Sequence, residues 1–178
     1  MHIDFTHIEY LKYGNRRQQS AYEELTGLSI FEHLRDYNPI LTGTIPIGID
    51  LPESDLDIIC RCSDHVAFAE TLKALFGNKS NFKIQTIGQN ELVATVATFQ
   101  SGGFKIEIFG QDCPSVNQRA YRHMLIEHKI LNSHDDTFRT EIMRLKAAGL
   151  KTEPAFARVL GLQGDPYEAL LKYETSDL

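Results

Sequence analysis

Two aspartates one residue apart, Asp55 and Asp57, follow a loop that opens on Gly43-Thr44 and carries Gly48 and Ser54. Acids in that pattern suit one kind of chemistry, the holding of a divalent cation against a phosphate. On a strand, alternate side chains share a face, so the two aspartates would project together. Glu107, in Lys105-Ile106-Glu107-Ile108-Phe109, shares an outward face with Lys105 and Phe109 on another strand candidate. If those two strands lie side by side, three carboxylates converge. Two unit charges ~4 Å apart repel by about 4 kcal/mol at an effective dielectric of 20, so such a cluster calls for a neutralising ion. Magnesium, which takes oxygen ligands and completes its shell with water and substrate phosphates, fits that need. At Gly43-Thr44 a residue without Cβ lets backbone amides approach an anion, and a hydroxyl can donate to a phosphate oxygen. The plainer alternatives are a solvated strand end for D-x-D and an ordinary tight turn for the loop.

The elements that must position these groups can be read from apolar spacing. Helices are expected over 5–13, 18–25 and 30–37, with Pro39 ending the last. A short buried strand follows over 40–43 and an alternating one over 55–62. There Leu56, Ile58, Cys60 and Cys62 take the face opposite Asp55, Asp57, Ile59 and Arg61. Ser63 or Asp64 can cap a helix that ends at Gly77. Strands over 82–87, 91–99 and 104–109 are separated by Gly88-Gln89-Asn90 and Ser101-Gly102-Gly103, the turn chemistry of a meander. Helical spacing then covers 116–131, 135–148, 154–160 and 166–172. The expected fold is α+β: a mixed sheet of about five strands with flanking helices and a C-terminal helical tail, in a single domain over 1–178 with its core at 38–112 and its helical part at 115–178.

Composition bounds the function classes. The 178 residues are 42% hydrophobic and 24% charged, ordinary for a globular protein, and no apolar run approaches a membrane span. The first residues lack the basic-then-apolar order of a signal peptide, so the cytoplasm is the default compartment. Cys60, Cys62 and Cys113 lack the paired spacing of a zinc site and read as buried or idle thiols. A net charge of −6 argues against strong nonspecific nucleic-acid binding.

The run G-T-x3-G-x5-S-D-L-D, here Gly43, Thr44, Gly48, Ser54, Asp55, Leu56 and Asp57, resembles the signature of the DNA polymerase beta-like nucleotidyltransferase superfamily. The segments GTIPIGIDLPESDLDIIC, KIEIFGQ, NQRAYRHMLIEHKIL and LKAAGLKTEPAFARVLGLQGDPYEALL look like an uncharacterised bacterial family of that fold. The resemblance implies a magnesium-dependent nucleotidyltransferase that moves a nucleoside monophosphate from a nucleoside triphosphate to an acceptor hydroxyl. The acceptor could be a small molecule, a protein or an RNA end. Asp55, Asp57 and Glu107 would hold two magnesium ions, Glu107 would help deprotonate the acceptor, Gly43 and Thr44 would hold the β- and γ-phosphates, and Gly48 and Ser54 of the signature would belong to the same nucleotide-binding set. Many relatives carry a basic residue in or after the loop, where this chain has Ile45, Pro46 and Ile47. Phosphate charge would then be met by Arg119, Arg122 and His123, or by Arg16 and Arg17, all of which read equally well as solvated surface. The missing basic residue also leaves open a catalytically inactive nucleotide-binding or regulatory module. His123 and His128 are not expected to bind metal, Asp50 reads as a turn former, Thr152-Glu153-Pro154 as a structural helix start, and Phe99, Phe104 and Phe109 as core.

Overall fold

The computed structural model describes residues 3–89 and 92–176. Five strands form one sheet in the order β1-β2-β5-β4-β3: β1 (Ile40–Thr42), β2 (Leu56–Arg61), β3 (Ser80–Gln89), β4 (Leu92–Ser101) and β5 (Phe104–Gln111). The last three run as an antiparallel meander, and β5 is laid back parallel to β2. The β4–β5 turn uses Gly102 and Gly103 at φ +55° and +80°, a region open to glycine at little cost. Gly88 and Gln89, expected in the turn before β4, are the last residues of β3, and Asn90, expected in that turn, and Glu91, expected to open the next strand, lie outside the described residues.

Period-two alternation gives each strand two destinations. Leu56, Ile58 and Cys60 of β2, with Ile106 and Ile108 of β5, enter a core shared with α1 (Arg16–Gly27) and α3 (His65–Phe76) through Leu25, Phe68, Leu72 and Phe76. Ile59, of the opposite parity, enters a second core with Met124 and Ile130 of α4 (Arg119–Ser133), Ile142 of α5 (Asp136–Ala147), Phe156 of α6 (Thr152–Leu160) and Leu170 of α7 (Pro166–Ser176). Asp57 and Glu107 share Ile59's parity, so they face the C-terminal helices. The expected α+β plan, with β2 beside β5, is therefore present.

Local chemistry explains where boundaries moved. The expected helix over 5–13 is a 3-10 turn, Glu9–Tyr13, closed by Gly14 in an extended conformation. The run over 30–37 breaks after α2 (Ile30–His33) into a second 3-10 turn, with Ser29 and Asn38 both at positive φ. Helix α4 begins at Arg119 rather than at 116 because Gln118 is extended and a 3-10 turn, Ser115–Asn117, precedes it. Asp64, not Ser63, caps α3, accepting from the amides of Val66 and Ala67 at 3.1 and 2.9 Å. Cys60 and Cys62 are buried free thiols, and burial pushes Cys62 up to about 11. Among the described residues no helix is long and apolar enough to cross a membrane.

Candidate active site

The loop between β1 and β2 is apolar for a structural reason. Ile45 is fully buried in the first core, and Ile47 and Ile49 are buried in the second, so the segment anchors into both at once. A basic side chain at these positions would lose its solvation. The loop's carbonyls are held from outside. Gln18 of α1 donates to Ile45 O and Pro46 O at 2.9 and 3.1 Å, and Arg139 of α5 donates to Ile47 O and Gly48 O at 3.1 and 3.2 Å. Lys146 donates to Ile49 O at 2.5 Å. Thr44 donates through its hydroxyl to Ser54 Oγ at 3.3 Å, and Ser54 Oγ accepts the Leu51 amide at 2.8 Å, closing the loop's two ends on each other.

Beside this loop a cavity of about 480 Å³ opens between the sheet and α4. Gly43, Thr44, Asp57, Glu107 and Phe109 line its sheet side. Asp57 and Glu107 are register partners across the parallel β2–β5 pair, and Thr42 is the partner of Asp57 across β1–β2. Gly43, at φ +86°, has no side chain where one would intrude: a Cβ there would stand 2.7 Å from Asp57 Oδ2. Burial, then Glu107, then Asp55, push the Asp57 carboxyl up to about 7, with Lys105 opposing them. A like-charge pair that resists ionising together, at a cavity wall with a Cβ-free approach, is a donor set that fits a hard divalent cation.

Asp55 stands differently. It precedes β2 instead of lying within it, and Lys105 Nζ sits 2.5 Å from its Oδ2. Among the described residues no three His, Cys, Asp or Glu side chains are gathered as a ready metal group. Lys105 thus neutralises Asp55 from the same face of the sheet.

The other expected phosphate partners divide. Arg119 lines the cavity at the exposed first turn of α4 and pairs with Glu168 of α7. Gly48, Ser54 and Arg122 are not on the cavity wall; Gly48 faces Arg139 and Asn15, and Arg122 is exposed. Arg17 serves the loop, donating to Ser54 O at 3.1 Å, pairing with Asp50 at 3.6 Å and lying over the Phe104 ring at 4.5 Å. Asp50 is therefore an ion-pair partner beyond its role in the turn. Phe99 and Phe104 are core residues as expected, whereas Phe109 is only half-buried and forms part of the cavity wall.

The helical side of the cavity holds His123, one of the expected phosphate partners, beside Gln118, Glu127 and Glu153, which the spacing did not single out. His123 is buried, its Nδ1 3.4 Å from Glu153 Oε1 and its Nε2 3.0 Å from Tyr167 O, so it joins α4 to α6 and α7. Burial works to raise Glu153, but hydrogen bonds from His123 and from its own backbone outweigh that and leave the carboxyl below its ordinary value. Gln118 donates to Cys60 O and Cys113 O at 2.9 and 3.0 Å, tying the start of α4 to the end of β2. Glu127 is buried at 4% exposure on the same wall. An acid within the buried stripe of Met124 and Leu131 was the available signal for it.

Sheet order, loop and carboxylate placement together define a nucleotidyltransferase-like α+β fold, and solved structures agree. A structure of Cid1 described by its RNA terminal uridylyl transferase activity matches with a TM-score of 0.55 and 14% identity, over 78% of this chain and 46% of that one. Cid1 in complex with the UTP analog UMPNPP gives 0.52 and 17%, over 80% and 47%. The GLD-2/RNP-8 complex gives 0.53 and 12%, over 80% and 56%. The chain thus spans about half the length of these proteins. No curated protein matches it in sequence. Within that fold the chain belongs to the family DUF4269, a domain of unknown function, which it matches over residues 23–173.

Proposed function

We propose that the protein is a magnesium-dependent nucleotidyltransferase that transfers a nucleoside monophosphate from a nucleoside triphosphate to an acceptor hydroxyl. The observation that carries this reading is the in-register pairing of Asp57 with Glu107 at a cavity whose next wall is Gly43-Thr44. The Cid1 structure bound to a UTP analog supports a triphosphate as the donor on a fold of this kind.

In this reading Asp57 and Glu107 would hold one ion, and Asp55, once Lys105 leaves it, would join them in holding a second. Magnesium bound there would neutralise charge on the triphosphate and acidify the acceptor hydroxyl. Glu107 takes the proton from that hydroxyl as it attacks the α-phosphorus in line, and pyrophosphate leaves. The backbone at Gly43 and the hydroxyl of Thr44 grip the β- and γ-phosphates, the latter by exchanging its bond to Ser54 for one to phosphate. Lys105, once released, and Arg119 at the cavity mouth supply the positive charge that the apolar loop lacks. The domain is the single unit 1–178, acting in the cytoplasm.

Pyrophosphate release, measured with each of the four triphosphates, magnesium and a pool of cell metabolites, tests the reaction. Release that disappears in Asp57→Asn supports it. Nucleotide binding without release from any mixture would assign a binding module on the same fold.

A further inference from the structure

Helix α4 forms one long wall of the cavity, and burial deepens along it. Arg119 and Ala120 at its start are exposed, His123 is 5% exposed and Glu127 4%. From residue 119 to residue 127 the helix rises about 12 Å, enough to run alongside a small ligand. Glu127 is the most buried of the α4 acids and bases on that wall.

Its neighbours on that wall are already engaged. Glu153 is taken by His123, and His123 spends its other ring nitrogen on Tyr167 O. Lys146, the cation acting on Glu127, gives a hydrogen bond to Ile49 O at 2.5 Å. Among the described residues the Glu127 carboxyl has no hydrogen-bond partner. Its oxygens are not among the buried side-chain atoms left without a partner in the described residues, which are Tyr10 Oη, Arg17 Nε and Gln118 Oε1, so they stay open to the cavity that Glu127 lines. Burial, with Glu153 adding to it and Lys146 opposing, raises its proton affinity well above the ordinary value.

Protonated or ionised, a carboxyl keeps an acceptor oxygen, and on the wall of a cavity that oxygen suits a ligand that brings an N–H donor. We propose that Glu127 recognises an amino group of the ligand occupying this cavity, an inference that rests on reading the cavity as the nucleotide and acceptor site. Such a group has two sources, the exocyclic amine of a nucleobase or the amine of an amino-bearing acceptor alcohol. A ligand with oxygen in place of that nitrogen leaves Glu127 without a donor from an amine and binds less well.

Calorimetric titration of the intact chain with magnesium present separates the sources by matched probes. ATP is compared with ITP, which has oxygen in place of the amine, and glucosamine is compared with glucose. One pair should differ by about tenfold or more in Kd, and the difference should collapse in Glu127→Gln. Discrimination between ATP and ITP assigns the site to the base, and between glucosamine and glucose to the acceptor. Glu127→Asp, which keeps the carboxyl but retracts it, should weaken the same discrimination and serves if the glutamine variant fails to fold. Equal affinities within both pairs, or discrimination unchanged in the variants, overturns the assignment. If neither ATP nor ITP binds the unaltered protein, the nucleotide reading fails separately from it.

Discussion

Asp57 and Glu107 face each other as register partners on adjacent parallel strands, and both line the cavity bounded by Gly43 and Thr44. The parallel β2–β5 pairing makes this possible: residues about fifty positions apart in the chain meet because α3, β3 and β4 form the crossover between them.

That pairing sets a pH dependence in metal-free protein. Asp57 is pushed up to about 7 in the folded chain, against an ordinary value of 3.8. A carboxyl raised on folding contributes stability that is full below about 4 and is lost as pH rises through about 7. Glu127 is raised too and acts in the same direction, so the contribution of Asp57 is read as a difference between variants. In EDTA, Asp57→Asn should melt above the unaltered protein at pH 8 by on the order of 1–3 kcal/mol, and the gap should close at pH 4. Thermal denaturation across that range measures it.

Lys105 and Asp55 give a second expectation. The ammonium at Asp55 Oδ2 offsets part of the repulsion among three acids. Lys105→Met should lower the melting temperature without metal and gain more from added magnesium than the unaltered protein does. Equal magnesium stabilisation in both would show that the lysine does not occupy a cation's place.

How much of this was open to inspection in the sequence depended on range. Alternation placed Leu56 and Ile58 opposite Asp57 and Ile59, and Gly102-Gly103 marked the β4–β5 turn, because both signals are local, whereas Gly88 and Gln89, expected in a turn, are paired residues of β3. Glu107 could be paired with Asp57 only on the supposition that β2 and β5 are neighbours. The far wall was harder. Glu127 and Glu153 come from separate helices and meet the sheet only in three dimensions, and Phe109 carries no mark that separates a core ring from a cavity wall. Arg17 read as a possible phosphate ligand, but its contacts with Ser54 and Asp50 are long-range and visible only in the fold.

Gly43→Ala tests the close approach at the loop. At φ +86° an alanine is strained by about 1–2 kcal/mol, and its Cβ would meet Asp57 Oδ2 at 2.7 Å. The variant should lose that stability in urea denaturation and should also bind magnesium and nucleotide more weakly, since Asp57 must move.

The loop's support can be probed at a distance from the acids. Gln18→Met leaves two buried loop carbonyls without their donor and removes the partner of the Asn15 amide, which should cost about 1–3 kcal/mol. Gln19→Met, at an exposed neighbour, should stay within about 0.5 kcal/mol. Urea midpoints of the pair distinguish a tethered loop from a free one.

The most direct measurement is calorimetric titration of a non-hydrolysable triphosphate analogue with magnesium into the unaltered protein, Asp57→Asn and Glu107→Gln. Nucleotide should bind the first only when magnesium is present, and each variant should bind about tenfold or more weakly while melting cooperatively. Equal affinity in all three, or no binding to the unaltered protein with magnesium, would contradict a shared cation between Asp57 and Glu107.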